Sequence, residues 1–106
     1  MSGQSNQSFG LSASVIEQIK EVFARYPNVE RVVIYGSRAK GDFHTGSDID
    51  LALMGEKVTL KDALAIENEL DDLLLPYKID VAIYHQIDNP NLIDHMNRVG
   101  SVFYCG

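Results

Sequence analysis

Three aspartates have the residue type and the spacing that could hold a metal ion: Asp48, Asp50 and Asp80. Each lies in a run of alternating polar and apolar residues, and side chains two apart on a β-strand share a face. If the two runs are neighbouring strands whose apolar side chains enter the core, all three carboxylates converge on the opposite face. Their repulsion would raise their pKa values unless a cation lay between them. Oxygen ligands of this kind suit Mg²⁺, which keeps coordination sites open for phosphate oxygens and water.

The same aspartates have a simpler interpretation, in which Asp48 and Asp50 are two solvated charges on an exposed sheet face. Aspartate is disfavoured inside strands, so three aspartates at positions that share a face are more informative than any one of them. Other motifs are excluded. A calcium-binding loop starting at Asp48 would need Gly and Glu where the sequence has Leu53 and Thr59. Neither a P-loop nor a dinucleotide-binding glycine pattern is present.

A Gly-Ser pair precedes the first two aspartates. Gly36 and Ser37 follow a β-rich run directly, and ten residues separate Ser37 from Asp48. At the end of a strand, where a short helical turn begins, such a pair offers backbone N–H groups and a hydroxyl to a phosphate. Arg38 and Lys40 add positive charge, which makes them candidate nucleotide-binding residues. The alternative is an ordinary turn flanked by solvated cations.

Other polar and aromatic residues carry weaker signals. His44 lies between the Gly-Ser pair and the aspartates and could approach a phosphate, although loop histidines are usually solvated. His85 and His95 lack metal-ligand spacing with any partner, so we expect them to be surface groups. Tyr35 lies at a strand end and could stack on a nucleotide base, although an aromatic side chain in a strand usually contributes packing.

The elements that must position these residues follow from the hydrophobic periodicity. Strands are predicted over 29–35, 48–54, 77–84 and 101–105, and helices within 11–26, 60–75 and 90–99. The first helix has two competing caps, at Ser12 and at Ser14. Thr59 and the Asn89–Pro90 pair are predicted to begin the other two. The order predicts an α/β (α+β) fold, in which a small mixed β-sheet has helices packed on one face.

Composition limits the function classes. The chain has 106 residues, 45% of them hydrophobic, and we expect one domain over residues 11–106 after a flexible tail over residues 1–10. No apolar run approaches the roughly 18–20 residues that a membrane span needs. No signal peptide is visible, and Cys105 is the single cysteine, so we expect a soluble, cytoplasmic protein. A net charge of -6 argues against nucleic-acid binding as the main task.

These residues together resemble a known superfamily. Gly36-Ser37, ten intervening residues, Asp48-Ile49-Asp50 and the later Asp80 resemble the motif of the polymerase-β-type nucleotidyltransferases. The segment GSRAKGDFHTGSDIDLAL is especially similar to the minimal nucleotidyltransferases (MNT) of bacteria and archaea. The resemblance spans residues 29–84 and implies the polymerase-β palm fold.

The resemblance also implies a role for each matching residue. Gly36 and Ser37 would hold the triphosphate of an incoming nucleotide, and Asp48 and Asp50 would ligate two Mg²⁺ ions. Asp80 would help to hold the ion that activates the acceptor hydroxyl, or would instead act as the general base. The implied reaction is in-line attack by that hydroxyl on the α-phosphate of ATP, with pyrophosphate as the leaving group.

The family also implies a partner. Larger relatives add domains that grip nucleic acid or other acceptors, and this chain has no length for one, so we expect another protein to present the acceptor. In MNT systems that protein is typically a helical HEPN toxin, which the MNT antitoxin adenylylates on a tyrosine. Two alternatives stay open: an antitoxin that neutralises its partner by occlusion, and a nucleotide- or metal-binding domain without catalysis. Whether the chain forms a homo-oligomer also stays open.

Overall fold

A computed structural model describes residues 7–44 and 46–106 of the chain. The strands and helices run in the order β1 (Gln7–Ser8), β2 (Leu11–Ser12), α1 (Ala13–Ala24), β3 (Arg31–Tyr35), α2 (Ser37–Lys40), β4 (Ile49–Met54), α3 (Leu60–Asp72), β5 (Ile79–Ile83), α4 (Pro90–Val99) and β6 (Ser101–Cys105). A short 3-10 turn, Tyr84–Gln86, follows β5. Within the described residues, no helix is long and apolar enough to cross a membrane.

The main sheet is mixed and has the spatial order β5–β4–β3–β6. Strand β3 pairs antiparallel with both β4 and β6, whereas β4 and β5 are parallel. The predicted small mixed sheet, including the edge strand over 101–105, is therefore confirmed. Three of these strands are shorter than predicted: β3 begins at Arg31, β5 spans Ile79–Ile83, and β4 begins at Ile49. The last difference leaves Asp48 immediately before its strand.

Helices α1 and α3 pack against one face of the sheet, as the sequence predicts. On β4, Ile49, Leu51 and Leu53 are all fully buried there. Fully burying a side chain of this kind stabilises the fold by roughly 1.5–3 kcal/mol, so this face supplies most of the hydrophobic driving force. The helices contribute Ile19, Val22, Phe23, Ala63, Ile66 and Leu70 to the same core.

The helix caps resolve the competing predictions. Ser12 caps α1, since its side chain accepts a hydrogen bond from the Val15 amide at 3.2 Å. Thr59 caps α3 in a reciprocal capping box with Asp62. Asn89 caps α4 with Pro90 in the first helical turn, which confirms that predicted pair.

Helix α4 differs from the prediction of one helix-covered face. A Cβ added to Gly100, at its end, would lie 2.8 Å from Cγ1 of Val33, whose neighbours Val32 and Ile34 point into the core on the other side. Strand β5 is parallel to both β4 and β6. The connection through α3 runs from β4 to β5 at one edge of the sheet, and the connection through α4 runs back in the opposite direction, from β5 to β6 at the other edge. Parallel crossovers are almost always right-handed, so α3 and α4 must lie on opposite faces.

The N-terminal segment differs as well. Strand β1 pairs antiparallel with β2, and Phe9 between them packs against the core with its ring 6.3 Å from that of Phe103. The prediction of a flexible tail covers residues 7–10, which here form a hairpin with a packed aromatic ring. For residues 1–6 it falls outside the described part of the chain.

Candidate active site

Three side chains form a row across the second face of the sheet, the one opposite α1 and α3. Tyr35 on β3 is the register partner of Asp50 on β4, and Asp50 is the partner of Asp80 on β5. The neighbours of Asp50 in the strand, Ile49 and Leu51, are fully buried on the other side. Because side chains alternate along a strand, Asp50 and Asp80 lie side by side and point away from the core.

The two carboxyl groups interact directly. The pKa of Asp50 is raised, first by its burial, then by the negative charges of Asp80 and Asp48 and by a hydrogen bond with Asp80, while His95 partly offsets the shift. A carboxyl pair of this kind is stabilised by a shared proton or by a cation between the oxygens. Hard oxygen donors fit Mg²⁺, so this pair is where a divalent ion would be held.

Asp48 does not join that pair. Its side chain is exposed and lies just before β4, although its charge is close enough to raise the pKa of Asp50. No group of three or more His, Cys, Asp or Glu side chains in the described part of the chain is arranged to hold a metal ion. Of the three predicted ligands, the structure therefore brings together Asp50 and Asp80.

Gly36 lies in close contact with the carboxylate of Asp50. A Cβ on this residue would lie 2.4 Å from Oδ2 of Asp50, and the backbone φ of 77° is one that side chains rarely adopt. Glycine is therefore required here both by space and by conformation. The Gly36 amide donates a hydrogen bond to Nε2 of His95 at 3.1 Å, so this N–H is directed to the imidazole.

His95, which the sequence predicts to be a surface group, and Tyr35, which it predicts to contribute packing, both lie at the site. Their rings meet edge to face with centroids 6.4 Å apart, which places His95 at the site and not at a remote surface. Burial, followed by the charges of Asp50 and Asp80, raises the pKa of Tyr35 to about 12. The crossover rule that moves α4 to this face was the available signal, because it also moves His95.

Arg38 has a different environment from the one predicted. Its side chain is only 2% exposed, with Nε and Nη2 donating to the Ser47 carbonyl and Nη1 donating to the Phe9 carbonyl. The guanidinium carbon lies 5.2 Å from the ring centroid of Phe43 and 5.0 Å from that of Tyr77. This placement favours a structural role, in which Arg38 holds the loop before Asp48, over direct contact with a nucleotide.

The other predicted nucleotide-binding residues lie on the turn itself. Ser37 is the first residue of α2, and the amide of Gly41 donates to its carbonyl at 2.9 Å. Lys40 is exposed at the end of this helix, with Nζ 3.6 Å from Oδ2 of Asp42. His95 accepts from the Gly36 amide, while Ser37 and Lys40 lie at the two ends of α2.

Comparisons with known proteins agree with this architecture. The chain is similar to one in the crystal structure of a toxin–antitoxin with AMP-PNP, with a TM-score of 0.70 and 17% identity over 86% of this chain and 73% of that chain. A second similar chain occurs in tri-AMPylated Shewanella oneidensis HEPN toxin in complex with MNT antitoxin, with a TM-score of 0.65 and 14% identity over 89% and 72%. At these identities the likeness shows the fold.

Sequence comparison supplies the family. No curated protein matches the chain at a significant level. The family model described as polymerase beta, nucleotidyltransferase matches residues 17–106, a span that includes the Gly-Ser turn and all three aspartates. The chain therefore belongs to the polymerase-β-type nucleotidyltransferase family.

Proposed function

We propose that this protein is a Mg²⁺-dependent nucleotidyltransferase that transfers AMP from ATP to a hydroxyl group of a partner protein. The observation that carries the proposal is the register pair of Asp50 and Asp80 packed beside Gly36. Family membership supports the transferase class. The choice of AMP is supported by the similar structures, one of which contains AMP-PNP and another a tri-AMPylated toxin.

The chain's own residues have separate tasks in this reaction. Asp50 and Asp80 would hold Mg²⁺, with the exposed Asp48 as a further ligand, and the bound ion would supply stabilisation of negative charge on the reacting phosphate. Ser37 and Lys40 bind the triphosphate. The acceptor oxygen forms a bond to the α-phosphorus as the bond to pyrophosphate breaks, and the hydroxyl proton passes to water.

The position of Asp80 favours a protein acceptor that approaches from one side. Strand β5 is an edge of the sheet, so Asp80 lies at the rim of the carboxylate pair whereas Asp50 lies further inside. The net charge of -6 disfavours an extended nucleic-acid acceptor. The HEPN toxins present with the similar chains support a helical HEPN-type protein as the partner.

A second candidate function is neutralisation of the partner by occlusion, without transfer. It is favoured by one observation, that the described residues bring together two of the three expected metal ligands. The two functions predict different effects of substituting the site carboxylates. Transfer requires the carboxylates of Asp50 and Asp80, whereas occlusion requires only a folded surface.

Label transfer from α-labelled ATP tests the proposal. The protein is incubated with Mg²⁺ and a purified HEPN-type partner, beside Asp50→Asn, Asp80→Asn and the exposed control Asp72→Asn on α3. We expect Asp50→Asn and Asp80→Asn to lose at least about a thousandfold in rate, equivalent to roughly 4 kcal/mol, and Asp72→Asn to match the unsubstituted protein. Transfer that survives in both site variants would overturn the proposal. Neutralisation by the unsubstituted protein without any label would establish occlusion.

A further inference from the structure

His95 lies outside every predicted motif, yet it contacts the turn that the motif begins with. The Gly36 amide donates to Nε2 of His95 at 3.1 Å. A ring nitrogen that accepts a hydrogen bond carries no proton, so in the neutral imidazole this contact places the proton on Nδ1. The edge-to-face contact with Tyr35, at an interplanar angle of 81°, holds the ring in this orientation.

The backbone of Gly36 requires a contact such as the one with His95 to stay in its observed conformation. Its backbone is in a conformation that glycine reaches easily but also leaves easily, because no side chain restricts it. On one side the carboxylate of Asp50 limits its movement, and on the other side the imidazole of His95 does. The turn is thus held between the metal-binding strand and α4.

Helix α4 is itself fixed firmly enough to act as a support. The Asn89 side chain accepts from the amides of Asn91 and Leu92 at its start. At its end α4 lies against β3, because a Cβ added to Gly100 would be 2.8 Å from Cγ1 of Val33. Met96, next to His95, is only 4% exposed and anchors the middle of the helix. The position of the imidazole is therefore set by the packing of α4.

We infer that His95 is a positioning residue for nucleotide binding, which acts by holding the Gly36 amide and thereby the orientation of Ser37. The inference rests on the proposed function, since it assigns the turn to the triphosphate. It assigns no proton transfer to His95. The requirement is an acceptor atom at the position of Nε2, not an imidazole as such.

Substitutions that keep or remove this acceptor separate positioning from packing. In His95→Gln the Oε1 atom can replace Nε2, whereas His95→Leu fills the space without an acceptor and the side chain of His95→Asn is too short to reach Gly36. We expect the KM for Mg·ATP to rise about tenfold in His95→Leu and His95→Asn, the effect of losing about 1.4 kcal/mol. We expect kcat to change less than KM and His95→Gln to stay near the unsubstituted protein. His85→Leu, the same change at an exposed histidine that contacts the Val58 carbonyl, is the control.

Hydrogen exchange of the Gly36 amide, followed by NMR, tests the contact without relying on activity. We expect exchange to accelerate about tenfold or more in His95→Leu and to be restored in His95→Gln, because the acceptor protects the amide. If His95→Leu does not fold, His95→Asn provides the same comparison. Unchanged exchange in a folded variant that lacks the acceptor would overturn the inference. Failure of the unsubstituted protein to transfer label would instead count against the proposed function, and the exchange result would stand apart from it.

Discussion

The two faces of the main sheet contrast in almost every physical property. On the first face, Leu51 and its apolar neighbours are fully buried beneath α1 and α3. On the second face, Asp50 and Asp80 form a half-buried polar pair, and α4 packs beside β3. Both environments lie along the same strand, one residue apart. The contrast indicates that stability resides mainly on one face and chemistry on the other.

The second face of the sheet lowers the stability of the fold through an electrostatic effect. Burial and the neighbouring carboxylates raise the pKa of Asp50, which means that its charged form is disfavoured in the folded protein. A residue selected for stability alone would not carry this charge at a half-buried strand position. The Asp50–Asp80 pair therefore lowers the stability of the folded protein, and a cation bound between the carboxylates would offset this loss.

The largest expected difference between the faces is in the free energy of unfolding. We expect Leu51→Ala to lower it by about 3 kcal/mol, because the substitution leaves a cavity in a closely packed core. We expect Asp50→Asn to change it by less than about 1 kcal/mol, because the amide keeps the shape and removes a disfavoured charge. Urea unfolding of both variants without Mg²⁺ measures the difference.

The comparison would fail if Asp50→Asn destabilised the protein as much as Leu51→Ala. That result would assign the carboxylate a structural role and would also complicate the label-transfer test, since loss of activity could then reflect unfolding. A variant of the same strand that exchanges apolar residues of similar volume, Leu51→Met, provides the control and should lose less than about 1.5 kcal/mol.

Sequence reasoning succeeded where the information is local. Alternation along β4 assigned Ile49 and Leu51 to one face and Asp50 to the other, and the Asn89–Pro90 pair predicted the start of α4. Both depend on neighbours within a few residues, so a strand period of two and a cap are enough to define them.

The features that the sequence did not predict depend on contacts between segments that are distant in the chain. Burial of Arg38 requires Phe9, Phe43 and Tyr77 to surround it, and no local pattern predicts that a cation beside a solvent-exposed Lys40 will turn inward. The placement of α4, and with it His95, follows from strand order and crossover handedness, which are properties of the assembled sheet. The paired Asp50 and Asp80 could be anticipated as neighbours only on the condition that their strands are adjacent.

Arg38, in α2, tests the contrast between residues that serve stability and residues that serve chemistry. We expect Arg38→Lys to lower the free energy of unfolding by about 1–3 kcal/mol, because a lysine cannot donate to the Ser47 and Phe9 carbonyls together. We also expect transfer to weaken, since the loop that leads to Asp48 loses its anchor. Lys40→Met, on the same turn but exposed, should change stability by less than about 0.5 kcal/mol. A stable Arg38→Lys protein with reduced nucleotide affinity would instead assign Arg38 to direct nucleotide contact.

The smallest expected effect is confined to the first face. The Thr59 hydroxyl accepts from the Asp62 amide at 3.2 Å, and the Asp62 carboxylate accepts from the Thr59 amide at 3.2 Å. Thr59→Ala removes the cap and should cost about 1 kcal/mol of stability, whereas Thr59→Ser keeps the hydroxyl and should cost far less. Because α3 lies on the face opposite the carboxylate pair, label transfer by the folded Thr59→Ala protein should be unchanged. A loss of transfer without a loss of folded protein would show that the two faces are coupled through β5, against which α3 packs.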